Sequence, residues 1–107
     1  MTDNIVILST CSTEEEAERL ARALLDARLA ACVNVVPRVR SFYRWKGQVE
    51  DAAECLLVIK SSRPMFDALR SALLAAHSYE VPEVVALPIL DGAPEYLRWL
   101  HESLGSE

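Results

Sequence analysis

The stretch from Asn4 to Glu16 reads NIVILSTCSTEEE and decides the first two elements of the fold. Residues 5–8 are four consecutive apolar side chains, a run that is typical of a strand covered on both faces. A hydroxyl of Ser12 or Thr13 follows, with acidic residues directly after it. This pattern is that of a capped helix start, where negative charge stabilises the helix N-terminus. The stretch therefore predicts a buried strand that leads directly into a helix.

The next segments alternate between helical and extended periodicity. Apolar residues recur at helical spacing in the first helix, at Ala17, Leu20, Ala21, Leu24 and Leu25. From Ala31 the period changes to two, and it continues through a turn at Lys46-Gly47 into a second strand that ends near Lys60. This pattern predicts a long β-hairpin.

The remaining third of the chain repeats the helix-strand pattern and adds one more helix. The stretch Ser61-Ser62-Arg63-Pro64 predicts the start of the next helix, with capping hydroxyls and a first-turn proline, and a stripe of apolar residues at helical spacing follows it. A fourth strand is predicted over residues 83–90 and a short C-terminal helix over residues 94–104. The order β-α-β-β-α-β plus a helix predicts an α+β, ferredoxin-like (split βαβ) fold with an antiparallel sheet, formed by one domain over residues 1–107.

Two prolines indicate which strands lie at the edges of this sheet. Pro37 lies in the second strand and Pro88 in the fourth, whereas the first and third strands contain none. Proline cannot donate a ladder hydrogen bond, so it is tolerated at edges and bulges. The placement predicts central first and third strands, as the ferredoxin-like order requires.

Composition excludes several classes of protein. The 107 residues are 51% hydrophobic, which is enough for one packed core. The chain has 11 lysines and arginines against 16 aspartates and glutamates, which gives a net charge of −5. A negatively charged protein repels the phosphate backbone, so nucleic-acid binding is not expected, although Arg38, Arg40 and Arg44 lie on one strand. Three widely spaced cysteines, an acidic start and no long apolar run predict a cytoplasmic protein without a membrane segment.

One face of the predicted sheet has no helix to cover it. Two crossover helices cover one face only, yet the first, third and fourth strands are apolar at both parities. An exposed apolar patch of that size usually marks a partner surface. We expect self-association through this face, and the alternative is that the C-terminal helix folds back over it.

Five short motifs occur in a fixed order along the chain. They are AACVN at residues 30–34, S-x-Y-x-W-x-G at 41–47, KS at 60–61, H-x-Y-x-x-P-E at 77–83 and Y-L-x-W at 96–99. Together they resemble the CutA family, the divalent-cation tolerance proteins, along essentially the whole chain. The resemblance implies a ferredoxin-like subunit, a tightly packed homotrimer, a cytoplasmic bacterial protein and the binding of copper or other divalent metals.

The candidate metal ligands are His77, Cys11 and Cys32. An imidazole in a loop suits Cu(II), and a thiolate suits Cu(I). Some relatives pair a thiol at the end of the first strand with two adjacent histidines, but the matching positions here are Ser9, Ala76 and His77. This departure predicts modest affinity for Cu(II) or another divalent cation. The alternative roles are a helix cap for His77 and small buried apolar side chains for the cysteines.

A second group of residues in the motifs is polar or aromatic. Tyr43, Trp45, Lys60, Tyr79 and Glu83 are candidates to line a cleft for a small ligand. The alternative is that these side chains pack at a subunit interface.

The resemblance, taken together with these residues, leaves two functions in contention. The first is a trimeric copper-binding or divalent-metal-binding protein of cation tolerance. The second is a trimeric regulatory or scaffold module, similar in architecture to PII signalling proteins, that holds a small effector between subunits. No organic cofactor and no enzymatic activity are expected, because a phosphate loop and the G-x-S-x-G and H-E-x-x-H motifs are missing from the sequence.

Overall fold

The computed structural model describes residues 2–105, and its strands and helices follow the predicted order. Residues 1, 106 and 107 of the predicted domain lie outside the described residues. The elements are β1 (Asn4–Cys11), α1 (Glu14–Asp26), β2 (Cys32–Trp45), β3 (Gln48–Ser62), α2 (Phe66–Ala76), β4 (Val85–Pro88) and α3 (Pro94–Glu102). A 3₁₀ turn (Arg63–Met65) connects β3 to α2.

The four strands form an antiparallel sheet in the order β2-β3-β1-β4. β1 and β3 are therefore central, and the proline-containing strands β2 and β4 are the edges, as predicted. This is the ferredoxin-like order. Within residues 2–105, no helix is both long and apolar enough to span a bilayer.

The helix start predicted from the first stretch of sequence is confirmed. Thr13 is the N-cap of α1, and its hydroxyl accepts a hydrogen bond from the backbone N–H of Glu16 at 3.0 Å. The apolar stripe of α1 packs with α2 against one face of the sheet. The buried residues of this core include Ile7, Leu20, Leu24, Leu57, Ile59, Leu69 and Leu73.

The start of α2 differs from the prediction. Ser61 and Ser62 belong to β3, and Ser62 makes no capping hydrogen bond with its side chain. Ser61 is fully buried, and its hydroxyl donates to the carbonyl of Leu29 at 2.6 Å. The predicted serine cap is wrong because the ladder between β3 and β1 continues through Ser62, so both serines belong to the strand.

The second face of the sheet, the open face, carries the side chains that alternate with the core. Its rows are Leu87–Val6–Lys60–Cys32, then Val85–Leu8–Val58–Asn34, then Thr10–Leu56–Val36. Tyr96 of α3 lies beside the Cys32 thiol, and Leu100 of α3 is fully buried outside the helix-side core. Helix α3 thus folds back over one end of the open face. Val85 and Leu87 remain 48% and 50% exposed, so the rest of that face is uncovered.

The β2-β3 hairpin extends far beyond the rest of the sheet. The pairing of β1 with β3 ends at Cys11 and Cys55, but β2 and β3 continue to pair as far as Trp45 and Gln48. A bulge between Val36 and Val39 interrupts the register where this projection begins. We call residues 39–54 the arm. The arm accounts for the long dimension of the subunit, which measures 44 × 25 × 22 Å.

Candidate functional site

A cleft of about 670 Å³ lies where the arm meets the loop between α2 and β4. The arm contributes side chains from β2 together with Glu54 of β3, and the loop contributes residues 78–81 and Glu83 from the opposite wall. The lining residues are Thr10, Ser41, Phe42, Tyr43, Trp45, Glu54, Ser78, Tyr79, Glu80, Val81 and Glu83. The volume lies within the range of roughly 300–1,000 Å³ that is usual for small-molecule sites.

A buried carboxylate of β3 lines this cleft. Glu54 is only 8% exposed, and its Oε2 accepts a hydrogen bond of 2.6 Å from the Tyr79 hydroxyl. Burial, together with this hydrogen bond to the Glu54 carboxylate, raises the pKa of Tyr79 well above its usual value. Tyr79 therefore stays protonated and remains a hydrogen-bond donor. Its hydrogen bond to Glu54 joins the loop to the base of the arm.

His77 fixes the start of the same loop. It is the C-cap residue of α2, and its side chain is 0% exposed. Its Nδ1 accepts from the Tyr79 N–H at 3.0 Å, and its Nε2 lies 2.8 Å from the Thr10 carbonyl oxygen. A neutral imidazole that donates from Nε2 satisfies both contacts at once. Both ring nitrogens are thus used for structure.

A second buried carboxylate holds the loop from the side of α1. Glu16 accepts hydrogen bonds from the Ser78 N–H at 2.8 Å and the Ser78 hydroxyl at 3.0 Å. Burial alone would raise the pKa of Glu16, but the hydrogen bonds from Ser78 and Ser12 outweigh it and lower that pKa below its usual value. Arg19 adds a contact of 3.5 Å to Glu16 and donates to the carbonyl of Ala76 at 2.9 Å. The N-terminus of α1 is thereby tied to the C-terminus of α2.

The three predicted metal ligands lie in different surroundings. Cys11 is buried on the helix side, where burial and the nearby Glu16 charge raise the pKa of its thiol to about 11. Cys32 lies on the open face, opposite Lys60 of β3. A metal at His77 would have to displace one of the two hydrogen bonds of its ring. Within residues 2–105, no group of three His, Cys, Asp or Glu side chains is placed to hold a metal ion.

Four of the five predicted cleft residues line one cleft: Tyr43, Trp45, Tyr79 and Glu83. Lys60 is not among the lining residues, and it donates to the Asn34 side chain instead. It lies six residues beyond Glu54 along β3, a distance of about 20 Å at the usual rise per strand residue. The sequence indicated that a lysine at the end of a strand could line the cleft, but Lys60 is at the end of β3 that is farthest from the hairpin turn.

Three residues of the site were not assigned by the sequence. Glu16 was interpreted only as part of a helix cap, and Glu54 and Ser78 carried no assignment. Glu54 is an acid on an otherwise apolar part of a central strand, which is a usable signal for a functional carboxylate. Ser78 had no comparable signal.

The sheet order, the two crossover helices and the long hairpin define the chain as a ferredoxin-like α+β protein with a cleft at the base of its arm. A family model described as CutA1 divalent ion tolerance protein matches residues 5–103. The chain belongs to this family, as the sequence motifs predicted.

Individual relatives agree with this assignment. The chain is 49% identical over 100 residues to the divalent-cation tolerance protein CutA of Thermus thermophilus, and the match covers 94% of this chain and 97% of that protein. It is 45% identical to the mouse protein CutA over 87% of this chain, but it spans only 52% of that longer protein. A solved structure of CutA from Xylella fastidiosa has a TM-score of 0.94 at 38% identity, covering 97% of this chain and 100% of that one.

Proposed function

We propose that this chain acts in divalent-cation tolerance as a homotrimer that binds divalent cations, Cu(II) among them. Family membership supports the role in cation tolerance. The observation that carries the rest is the carboxylate-lined cleft at the base of the arm, next to a sheet face that one subunit leaves partly uncovered. We further propose a cytoplasmic location, where reducing conditions keep the three cysteines as thiols.

The exposed part of the open face supports the trimer. Val36, Val85 and Leu87 present apolar side chains to solvent, and β2 and β4 end the sheet with unpaired edges. Edge-to-edge contacts that close a ring cover both kinds of surface at once. Light scattering at micromolar concentration is expected to give about three times the subunit mass of 11.9 kDa. A monomer would overturn the proposal.

The aromatic residues of the arm provide a more specific test of assembly. Tyr43 and Trp45 are 43% and 37% exposed in one subunit. Trp45→Arg and Tyr43→Asp are expected to reduce the trimer fraction while far-UV circular dichroism stays unchanged. A full trimer in both variants would show that these side chains are not interface contacts.

The cleft carboxylates are better placed for a metal than His77. Glu80 and Glu83 are exposed at the cleft and are oxygen donors, which suit divalent cations including Cu(II). Because no three-ligand group lies within residues 2–105, further ligands must come from water or a neighbouring subunit. This composition predicts modest affinity.

Calorimetric titration with Cu(II), with the cysteines blocked, tests the location. The double variant Glu80→Gln/Glu83→Gln is expected to lose most of the binding, whereas His77→Ala and the matched surface control Glu95→Gln retain it. Loss of Cu(II) binding in His77→Ala alone would show that the metal is bound by the imidazole of His77. No binding by the wild type would overturn the metal proposal.

The second candidate function, a regulatory module that holds a small effector, is favoured by the cleft itself. Its volume and its mixture of aromatic and polar walls are those of a small-molecule site. A thermal-shift screen of the trimer against metals and small organic ions would separate the two functions, because a ligand of the folded state raises the midpoint of unfolding.

A further inference from the structure

Two of the three cysteines lie next to each other on neighbouring strands. Cys11 of β1 and Cys55 of β3 are directly opposite in the register, and both belong to the core on the helix side of the sheet. Both are free thiols, 0% and 4% exposed, and the Cys11 thiol lies within hydrogen-bonding distance of the Cys55 sulfur. The pair belongs neither to the lining of the cleft nor to the open face. Its surroundings are therefore separate from both surfaces on which the proposed function rests.

The backbone around this pair is less constrained than the rest of the sheet. Cys11 and Cys55 form the last pair of the ladder between β1 and β3. On the other side of β3, the register of β2 skips from Val36 to Val39, so the bulge lies opposite Cys55. Cβ atoms of directly opposite residues are about 4.5–5.5 Å apart, whereas a disulfide needs about 3.5–4.5 Å. The strands must approach by roughly 1 Å to form an S–S bond, and the end of a ladder beside a bulge is where they can do so.

The two thiols differ in accessibility and in their hydrogen bonds. Cys55 is the more exposed of the two, while Cys11 is fully buried. Burial raises the pKa of both thiols, so both are protonated at neutral pH. At Cys55, hydrogen bonds from the backbone N–H of Arg38 and from the Cys11 thiol oppose this effect and favour the thiolate. Because the thiolate is the form that an oxidant attacks, Cys55 is the thiol that reacts first.

We propose that Cys11 and Cys55 form a reversible disulfide when a hydroperoxide oxidises the chain. In the first step the Cys55 sulfur attacks the O–O bond of hydrogen peroxide, and the products are a sulfenic acid on Cys55 and one molecule of water. In the second step the Cys11 sulfur attacks the sulfur of this sulfenic acid, which leaves the disulfide and a second molecule of water. The two thiols together lose two electrons and two protons, and the peroxide takes up both.

The position of the pair also favours reduction of the bond. A disulfide between strands that must be drawn together is strained, and strain makes a disulfide easier to reduce. Two molecules of glutathione return the pair to two thiols and are themselves oxidised to one disulfide. In a reducing cytoplasm the pair is therefore in its thiol form until a hydroperoxide is present.

Treatment of the wild type with hydrogen peroxide, followed by peptide mass spectrometry without reductant, tests the proposal. We expect a pair of peptides joined through Cys11 and Cys55, about 2 Da lighter than the two peptides together because two hydrogen atoms are lost. Millimolar glutathione is expected to separate them again. The map of the wild type requires no substitution, so it decides the question even where a variant fails to fold.

The matched control is Cys32→Ala, which removes the thiol on the other face of the sheet. This variant is expected to form the same linked pair, with its titratable thiols falling from two to none. Cys11→Ala and Cys55→Ala are both expected to lose the linked pair. In Cys11→Ala the first step still occurs, so dimedone, a reagent for sulfenic acids, is expected to label Cys55.

Three results would overturn the proposal. The first is the absence of a linked pair in the wild type at a peroxide concentration that oxidises Cys32. The second is a disulfide that joins Cys32 to another cysteine or links two subunits in place of the Cys11–Cys55 bond. The third is a Cys11–Cys55 bond that millimolar glutathione leaves intact. Dimedone labelling of Cys11 in Cys55→Ala, without labelling of Cys55 in Cys11→Ala, would overturn the order of the two steps.

Discussion

Replacing Glu16 by alanine removes the carboxylate that joins α1 to the loop of the cleft. Ser78 donates two hydrogen bonds to this group, from its N–H and its hydroxyl. A hydrogen bond to a charged group contributes about 1.5–3 kcal/mol to stability, so the pair is worth at least about 3 kcal/mol. The gain in helix propensity from alanine is below about 0.7 kcal/mol. We expect the free energy of unfolding to fall by about 3 kcal/mol, or roughly 12 °C in Tm.

Urea unfolding followed by far-UV circular dichroism measures this loss, at equal subunit concentration for every variant because assembly contributes to stability. Glu18→Ala is the matched control, since Glu18 is on the same helix, is 65% exposed and, within residues 2–105, pairs with Arg22 alone at 3.0 Å. An exposed pair of this kind contributes about 0.3–0.5 kcal/mol. A loss below about 1 kcal/mol in Glu16→Ala would refute the view that Glu16 holds the loop.

Four further predictions follow from the same structure. The pKa of Glu16 is lowered in the folded state, so its carboxylate contributes fully to stability above the ordinary pKa of a glutamate. This contribution is lost as the pH falls through the pKa of Glu16 in the folded protein. Glu16→Gln is therefore expected to lose less stability than the wild type when the pH is lowered. Thr13→Ala removes the N-cap of α1 and is expected to cost about 1 kcal/mol in urea unfolding. Because Cys11 is fully buried and burial raises the pKa of its thiol to about 11, mass spectrometry at pH 8 is expected to find it alkylated more slowly than the less buried Cys32. The Ser9 hydroxyl is buried without a hydrogen-bond partner among residues 2–105, so Ser9→Ala is expected to be neutral or to stabilise the fold by up to about 1 kcal/mol, and a clear destabilisation would contradict this.

The candidate site was predicted in part, and the reason differs from residue to residue. Tyr43 and Trp45 have the same parity on one strand, so their placement on one wall of a cleft follows from local periodicity. His77 was correctly placed at the end of a helix, but its two hydrogen bonds depend on how α2 packs beside β1. Lys60 was grouped with the cleft because it belongs to one of the motifs, although a strand that runs from the turn at Lys46-Gly47 to Lys60 already places the lysine at the opposite end from Trp45.

The sequence by itself determined the order of strands and helices, the length of the hairpin and the choice of edge strands. These features depend on periodicity, helix caps and proline, which act over a few neighbouring residues. Only the tertiary structure decided which polar groups meet. Ser78 reaches Glu16 across 62 positions of the chain, and Tyr79 reaches Glu54 across 25. Such contacts depend on the packing of α1 against α2 and on where the arm leaves the sheet, and no local pattern of residues specifies either.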